Sequence, residues 1–267
     1  MDTGITAVHT TLAGLVLCVA LAFATWLASL RQRDASLADR VWPLMIAGAG
    51  VAYALMQPAP LAARGLAALS LAGLWGLRLA AYIHGRNQGH GEDRRYQAMR
   101  ARNDPGFWWK SLYLVFGLQA VLAWIVSAPL FVASTSTAPL GVLDAAGLLL
   151  AAFGLLYETV ADAQMARFRA AADNAGKVMD QGLWRHTRHP NYFGEACVWW
   201  GLGLCAVGGG GWGATWALVS PLLMTVLLLR VSGVRLLEQD LAERRPAYRD
   251  YVARTNAFVP GPVRRQS

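Results

Sequence analysis

The chain has 267 residues, of which 55% are hydrophobic and only 15% are charged, with a formal net charge of +8. Apolar runs of about 20 residues, the length that crosses a hydrocarbon core, recur along it, which excludes an ordinary soluble domain. The excess of basic residues indicates membrane orientation signals rather than nucleic-acid binding.

Seven apolar segments are predicted to cross the membrane as helices. In chain order they cover residues 5–30, 41–57, 61–83, 107–133, 139–160, 193–210 and 212–231. The first is too long for the apolar core of a secretory signal and has no basic stretch before it, so we expect it to stay in the protein. Without repeats or a dividing linker, the sequence predicts one membrane domain over residues 1–267.

The connections between these segments alternate in charge, and this alternation predicts the topology. Residues 58–60, 134–139 and 208–211 carry no charge, whereas nearly all of the 24 Lys and Arg residues lie in the other connections or in the C-terminal segment. The positive-inside rule places the basic side in the cytoplasm, with the N-terminus outside and the C-terminus inside. We therefore expect a multi-pass protein of the bacterial inner membrane.

One cation falls inside a predicted span. Arg78 is costly there unless its guanidinium meets a partner or water, and the alternative is that it reaches toward the basic side. The three cysteines, Cys18, Cys197 and Cys205, lie in apolar runs without metal-type spacing. We expect neither a disulfide nor a structural metal site from them.

The fifth predicted span carries polar groups at helical spacing. Glu158, Asp162, Met165 and Arg169 are 4, 3 and 4 residues apart, which places them on one stripe of a helix. Two interpretations stay open, a ligand site and an ion pair at the helix end.

A polar connection with Lys177, Arg185 and Arg188 follows. These cations suit the phosphates of a cofactor or of lipid headgroups, and a solvated basic loop is the alternative.

The segment from His189 to Glu195 combines hydrogen-bonding groups with the start of the next span. Asn191 and Tyr192 follow a turn-prone His-Pro pair, and the Glu195 carboxylate lies about one turn into the apolar helix, where it needs a committed partner. His186 and His189 with Glu195 resemble a two-His, one-carboxylate set, but the pair lacks a helical frame and we expect no metal. The pattern from Gly201 to Gly203 lies within a span and indicates close helix packing.

These segments together resemble a bacterial membrane family related to the steroid 5α-reductases and the sterol C14 and C24 reductases. The match runs over about residues 157–260 and consists of ETxADxQxxxFR, N-x-G-K, GLWxxxRHPNYFGE, RxLE, PAYRDY and FVP, with GEDRRYQAMR upstream as a further family feature. The resemblance implies an all-α bundle that holds NADPH from the cytosolic side in residues 139–267. The helices of residues 1–133 would lie on the substrate side.

The resemblance also implies roles for individual residues. The expected NADPH contacts, with Glu195 gripping the nicotinamide amide, are Arg78, Asp162, Arg169, Lys177, Trp184, Arg188, His189, Asn191, Tyr192, Glu195, Arg235, Glu238 and Tyr251. The related reductases carry adjacent Gln and Glu on the second span and a Tyr on the third, but here Pro58 follows Gln57. Tyr53, Gln57 and Tyr82 are therefore the candidates for the catalytic hydrogen-bond or proton donor.

The reaction implied is NADPH-dependent reduction of the C=C bond of an α,β-unsaturated ketone lipid, such as a 3-oxo-Δ4-steroid. RHPxYxG also occurs in membrane isoprenylcysteine methyltransferases, which makes an S-adenosylmethionine-dependent methyltransferase the alternative. The missing Glu after Gln57 motivates a third hypothesis, a lipid-binding protein without catalysis. The expected partners are a lipid or steroid substrate and membrane lipids, with no nucleic acid and no metal.

Overall fold

The computed structural model describes residues 2–231 and 247–264. Within these ranges the chain is mostly helical and contains no strand, with one isolated bridge between Thr187 and Asn256. Five helical segments are long and apolar enough to cross a bilayer: Gly4–Gln32, Ala63–Asn87, Phe107–Val126, Val142–Ala170 and Pro190–Arg230. The prediction of an all-α, multi-pass membrane protein is confirmed at this level.

The contacts divide the chain into two compact units. Of the described residues, those within Met1–Ala145 and Cys205–Ser220 form unit 1. Those within Ala146–Leu204 and Pro221–Ser267 form unit 2. The single membrane domain stays a prediction.

Unit 1 is built mainly from the first six helices. They are α1 (Asp2–Gln32), α2 (Leu37–Leu55), α3 (Ala63–Asn87), α4 (Arg94–Asn103), α5 (Phe107–Val126, with a π-helical stretch at Leu112–Gly117) and α6 (Ala128–Thr135). The predicted helix over 107–133 is interrupted at Ser127. Pro129 follows two residues later and has no backbone N–H to continue the helical ladder, which accounts for the break.

Helix α4 has no counterpart among the predicted spans. Asp93 caps its N-terminus by accepting a hydrogen bond from the Arg95 backbone N–H at 2.9 Å, and such a cap satisfies an otherwise unpaired donor. The Tyr96 hydroxyl donates to Asp39 Oδ1 in α2 at 2.6 Å. Burial and the Asp39 carboxylate raise the pKa of Tyr96, so the hydroxyl keeps the proton that it donates. These bonds fix α4 against the start of α2.

Unit 2 contains most of the remaining helical structure. Its elements are α7 (Val142–Ala170, whose first four residues belong to unit 1), 3-10 turns at Ala172–Asn174 and Gly182–Arg185, α8 (Pro190–Gly210, whose last six residues belong to unit 1), α9 (Val219–Val226, whose first two residues belong to unit 1, continued by a π-helical stretch at Leu227–Val231) and α10 (Ala247–Arg254). A 3-10 helix at Gly211–Leu218, which belongs to unit 1, links α8 to α9. Helix α7 runs ten residues beyond the predicted end at residue 160, so the whole polar stripe that begins at Glu158 is helical.

Glycines let α7 and α8 approach closely within unit 2. A Cβ atom at Gly201 would lie 2.6 Å from the Ala151 backbone nitrogen, and one at Gly194 would lie 2.7 Å from the Glu158 backbone nitrogen. Contacts this short exclude any side chain at these positions, as in other small-residue helix crossings. The interpretation of Gly201 as a packing residue is confirmed, and the same crossing aligns Glu158 with the beginning of α8.

Candidate functional site

The predicted site residues fall in both units. Unit 2 contains Asp162, Arg169, Lys177, Trp184, Arg188, His189, Asn191, Tyr192, Glu195 and Tyr251. Unit 1 contains Tyr53, Gln57, Arg78 and Tyr82. Arg235 and Glu238 lie outside the described residues.

The polar stripe on α7 is graded from interior to surface. Glu158 is 1% exposed and Asp162 is 3% exposed, whereas Met165 is half-buried and Arg169 is exposed. Buried carboxylates require charge partners or hydrogen bonds, since taking a carboxylate out of water is costly. The deep end of the stripe is therefore the part suited to hold a polar ligand group.

The start of α8 supplies an amide beside these acids. The Asn191 side chain donates from Nδ2 to Asp162 Oδ1 at 3.3 Å. Its Oδ1 atom is buried and accepts no hydrogen bond from the described part of the chain. Glu195, one turn further along α8, is also buried. Three buried carboxylates and an amide oxygen thus lie on the adjacent helices α7 and α8.

Two aromatic rings stack at the start of α8. The rings of His189 and Tyr192 stack in parallel, with centroids 5.4 Å apart and planes 3° apart, and His189 is buried. His186 is exposed and its Nδ1 lies 3.3 Å from the Gly261 carbonyl oxygen. In the ranges that the structure covers, no three His, Cys, Asp or Glu side chains are arranged to hold a metal ion.

Trp184 and Tyr251 hold the connection between α7 and α8 in place. The indole Nε1 of Trp184 donates to the Ala161 carbonyl oxygen on α7 at 3.0 Å. The Tyr251 hydroxyl donates to the Trp184 carbonyl oxygen and lies 3.4 Å from that of Thr187. Burial raises the pKa of Tyr251, so this donor stays protonated. Both side chains position the loop that carries the basic residues.

Arg188 binds the C-terminal end of a helix. Its Nη1 donates to the Thr255 carbonyl oxygen at 2.5 Å and to that of Val252 at 3.3 Å, just where α10 ends. A cation is favoured there because the last carbonyls of a helix are unpaired and partially negative. At least part of the guanidinium therefore serves the fold, a role that its sequence position does not indicate.

A cleft of about 360 Å³ opens between this loop and the C-terminal segment. Its lining includes Gln181, Arg185 and Thr255, and the Arg254 guanidinium pairs with the Asp180 carboxylate at its wall. The volume lies near the lower limit for pockets that enclose a drug-sized ligand. Sequence reasoning missed Asp180 and Arg254, because neither lies in a motif with a chemical meaning of its own.

In unit 1 the predicted donor Tyr53 lies in the core. It is 1% exposed, and a Cβ atom at Gly14 would lie 2.7 Å from its hydroxyl oxygen. The Tyr53 and Ser127 oxygens are 2.7 Å apart, and Ser127 Oγ donates its own proton to the Trp124 carbonyl oxygen at 2.7 Å. Because a hydroxyl has a single proton, Tyr53 is the donor of this pair. Its surroundings are those of a packed core residue.

The other three predicted residues of unit 1 are half-buried. Gln57 donates from Nε2 to the Tyr53 carbonyl oxygen at 2.9 Å. The Arg86 guanidinium carbon lies 6.0 Å from the centroid of the Tyr82 ring. Arg78 and Tyr82 both lie on α3, one helical turn apart, so they share a face of that helix.

Among the described residues of unit 1, the fully buried cation is Arg64, whereas the sequence analysis singled out Arg78. Arg64, at the start of α3, is 1% exposed and forms an ion pair with Asp144, with Nε and Oδ1 2.6 Å apart. A signal was available in the sequence, since Arg64 and Asp144 are the charges nearest the neutral connections at 58–60 and 134–139. Two opposite charges at the same predicted end of the bundle favour pairing.

Comparison with known proteins adds the family but no described activity. Neither the curated proteins nor the solved structures contain a match to this chain. One protein family matches residues 25–255, a range that includes parts of both units and all the predicted site residues. Since this range is well over half of the chain, the chain belongs to the DUF1295 family, described as a protein of unknown function.

Proposed function

We propose that the chain binds NADPH in unit 2 and reduces the C=C bond of an α,β-unsaturated ketone lipid, such as a 3-oxo-Δ4-steroid. The proposal combines the resemblance of residues 157–260 to the steroid reductases with one structural observation. This observation is the buried Asn191 Oδ1, which accepts no hydrogen bond from the described residues. Buried polar atoms are nearly always hydrogen-bonded, so an acceptor in this state calls for a donor from a ligand.

The chemistry of the surrounding groups fits NADPH. A carboxamide or a ribose hydroxyl has a proton to donate to Asn191 Oδ1. The same groups have further protons for Glu195 and Asp162, which are buried beside it. The exposed cations Arg169 and Lys177 suit the phosphates, which remain near water. These five residues are the ones that would hold the cofactor.

Bound NADPH supplies a hydride for the β-carbon of the enone. The chain must supply a hydrogen-bond donor for the carbonyl oxygen, where negative charge develops, and a proton for the α-carbon. Tyr53 and Gln57 already donate within unit 1, to Ser127 and to the Tyr53 carbonyl oxygen. Tyr53 serves only if the substrate oxygen replaces its present acceptor, whereas the Gln57 amide has a second N–H proton to donate. The half-buried Gln57 therefore requires less rearrangement than the buried Tyr53.

The proposal includes the topology of seven crossings in the inner membrane, with the N-terminus outside and the C-terminus in the cytoplasm. Its support is the alternation of neutral and basic connections, with the loop that carries Lys177 and Arg188 on the cytoplasmic side. The segment Pro190–Arg230 has 41 residues, about twice the length that one crossing requires. A water-soluble cofactor then has access to unit 2 from the cytoplasm, while a lipid substrate arrives through the bilayer.

The test is equilibrium binding of NADPH and of S-adenosylmethionine to the purified protein, with wild type and matched variants compared. Asn191→Ala and Glu195→Gln should weaken NADPH binding about tenfold or more. The first removes an acceptor, and the second replaces a carboxylate oxygen acceptor by an NH2 donor and removes the charge. Arg31→Ala and Asn87→Ala change a charge and an amide outside the site and should leave the affinity unchanged. If all four variants change the affinity equally, the segment with Asn191 and Glu195 does not bind NADPH.

Two further outcomes separate the rival functions. Tight binding of S-adenosylmethionine without binding of NADPH would replace the reductase by the methyltransferase. Turnover is followed as loss of NADPH absorbance with a panel of enone lipids that includes 3-oxo-Δ4-steroids. Binding of NADPH without oxidation by any member of the panel would favour a lipid-binding protein that does not catalyse this reaction.

A further inference from the structure

A second, smaller cavity lies in unit 1, where α1 ends and α5 begins. Its volume is about 170 Å³, and Ser29, Arg33, Arg100, Phe107, Trp108 and Ser111 contribute to its lining. Since one water molecule occupies about 30 Å³ in the liquid, the cavity has room for roughly five. This is too small for a dinucleotide or a sterol, and it suits a single phosphate with its ester arms.

Arg33 is held at this cavity by an unusual backbone conformation. Its φ is +52°, the only positive value among the described residues other than glycine. The Asp34 backbone N–H donates to the Ser29 carbonyl oxygen at 3.1 Å, which is the hydrogen bond of a helix C-terminus that normally has glycine at the position of Arg33. An arginine there is strained. Its exposed guanidinium makes no hydrogen bond or ion pair with the described part of the chain.

Arg100 is the second cation, and it is rigidly oriented. Its Nη2 and Nε donate to the two carboxylate oxygens of Glu92 at 2.7 and 3.0 Å, and its guanidinium carbon lies 4.6 Å from the centroid of the Phe107 ring. Its Nη1 donates to no acceptor in the described residues. Glu92 pairs with Arg100, so Arg33 is the cation of the cavity lining that has no carboxylate partner among the described residues.

The Asp34 carboxylate, which follows Arg33 in the chain, already has a cation as its partner. Asp34 accepts from Arg40 Nη2 at 3.0 Å and from the Ser36 backbone N–H at 2.9 Å. The hydroxyls of Ser29 and Ser111 donate to backbone carbonyls of their own helices at 2.7 and 3.2 Å. Their oxygen lone pairs remain available to hydroxyl donors of a ligand. The cavity thus offers cations for a phosphate and acceptors for alcohols.

The rim of the cavity has the composition of a membrane interface. Trp108 is 59% exposed and Trp109 is 46% exposed, and the Trp26 indole Nε1 donates to the Trp108 carbonyl oxygen at 3.0 Å. Exposed tryptophans mark the level of the lipid headgroups. Leu27 and Phe23 on α1 are 46% and 48% exposed, so an apolar surface leads away from the cavity along the helix.

From these contacts we infer that the cavity binds the headgroup of an anionic phospholipid from the surrounding bilayer. Arg33 and Arg100 bind the phosphate, the serine oxygens accept hydrogen bonds from headgroup hydroxyls, and the acyl chains lie along α1 and α5. This site is separate from the residues assigned to NADPH and does not depend on the proposed reductase activity.

The experiment measures phospholipid adducts on the full-length protein in detergent by native mass spectrometry. The probes are dioleoylphosphatidylglycerol and dioleoylphosphatidylcholine, and the variants are Arg33→Gly, Arg33→Lys and Arg31→Ala. We expect the preference for phosphatidylglycerol to fall about fivefold in Arg33→Gly, as for the loss of one interfacial cation. It should persist in Arg33→Lys. Arg31→Ala removes a cation from the same end of α1 outside the cavity and should change little.

The melting temperature distinguishes loss of binding from loss of fold. In detergent without added lipid, Arg33→Gly should melt no lower than the wild type, because glycine relieves the positive φ. If Arg33→Gly and Arg31→Ala lower the binding of phosphatidylglycerol equally, the inference is wrong, and the lipid is attracted by the positive surface charge in general. Equal binding of the two lipids would also overturn it. Full displacement of phosphatidylglycerol by an equal concentration of glycerol 3-phosphate would identify a free phosphate ester, rather than a lipid, as the ligand.

Discussion

The buried ion pair of unit 1 permits the most quantitative prediction. Arg64 and Asp144 form two parallel hydrogen bonds, from Nε to Oδ1 at 2.6 Å and from Nη2 to Oδ2 at 2.8 Å. Nη1 also donates to Ser136 Oγ at 2.8 Å and to the Ala138 carbonyl oxygen at 2.9 Å. Both side chains of the pair are 1% exposed. Replacing Arg64 by Met therefore leaves the buried Asp144 carboxylate without its cation. It also removes a donor from three acceptors that are not fully buried, which are Ser136 Oγ and the carbonyl oxygens of Ala138 and Pro139.

The expected cost follows from that environment. Removing one partner of a buried, hydrogen-bonded ion pair typically costs about 3–5 kcal/mol of unfolding free energy. For a chain of this size, 1 kcal/mol corresponds to roughly 2–4 °C, so Arg64→Met should lower the melting temperature by about 6–20 °C. The double variant Arg64→Met with Asp144→Leu removes both charges. It should be more stable than the single variant, because no charge is left unpaired.

Thermal unfolding of the detergent-solubilised protein, followed by circular dichroism, measures these differences. The matched control is Arg254→Met, because Arg254 and Asp180 form an ion pair with side chains 39% and 36% exposed. Exposed pairs contribute at most about 1 kcal/mol, and the control should shift the transition by only a few degrees. If Arg64→Met shifts it no more than the control, or if the double variant is less stable than Arg64→Met, the assignment of this pair as a buried structural element is wrong.

Two further predictions concern unit 2. Gly201→Leu should lower the melting temperature by about 2–12 °C, since overpacking costs about 1–3 kcal/mol and a Cβ there lies 2.6 Å from the Ala151 backbone nitrogen. The control is Gly73→Leu, because no atom lies within 4 Å of a Cβ added at Gly73. Its melting temperature should be close to that of the wild type. Similar decreases in melting temperature for the two variants would contradict the packing argument. The pKa of Tyr251 is raised in the folded protein. Above a pH of about 10 the unfolded chain releases this proton while the folded protein keeps it. The free energy of unfolding therefore falls as the pH rises above about 10. Tyr251→Phe should lower the free energy of unfolding by about 1 kcal/mol at neutral pH, because the hydrogen bond to the Trp184 carbonyl oxygen is lost. Between neutral pH and a pH of about 11, the melting temperature of this variant should fall less steeply than that of the wild type. An equally steep fall would refute the role of this hydroxyl.

Several features of the fold were predictable from local patterns. Runs of about 20 apolar residues have one stable form in lipid, since a helix satisfies its own backbone hydrogen bonds. The spacing from Glu158 to Arg169 correctly predicted one polar stripe, and the small residues around Gly201 correctly predicted close packing. The ends of the helices were less accurate. Pro129 breaks the predicted 107–133 helix, and α7 continues past residue 160 because polar residues can extend a helix beyond the apolar core.

The sequence by itself determined the class of the molecule, the all-helical membrane architecture, because apolar length and periodicity are properties of neighbouring residues. It also determined which segment carries the buried acids and the Asn191 amide. Only the tertiary structure decided how side chains distant in sequence pair. Folding pairs Arg64 with Asp144, 80 positions away, and Arg188 with the end of α10, 67 positions away. It also places Tyr53 in the core, where its hydroxyl donates to Ser127. A charge or hydroxyl has the same sequence signal in a site and in a core, because its role depends on which groups folding brings within hydrogen-bonding distance.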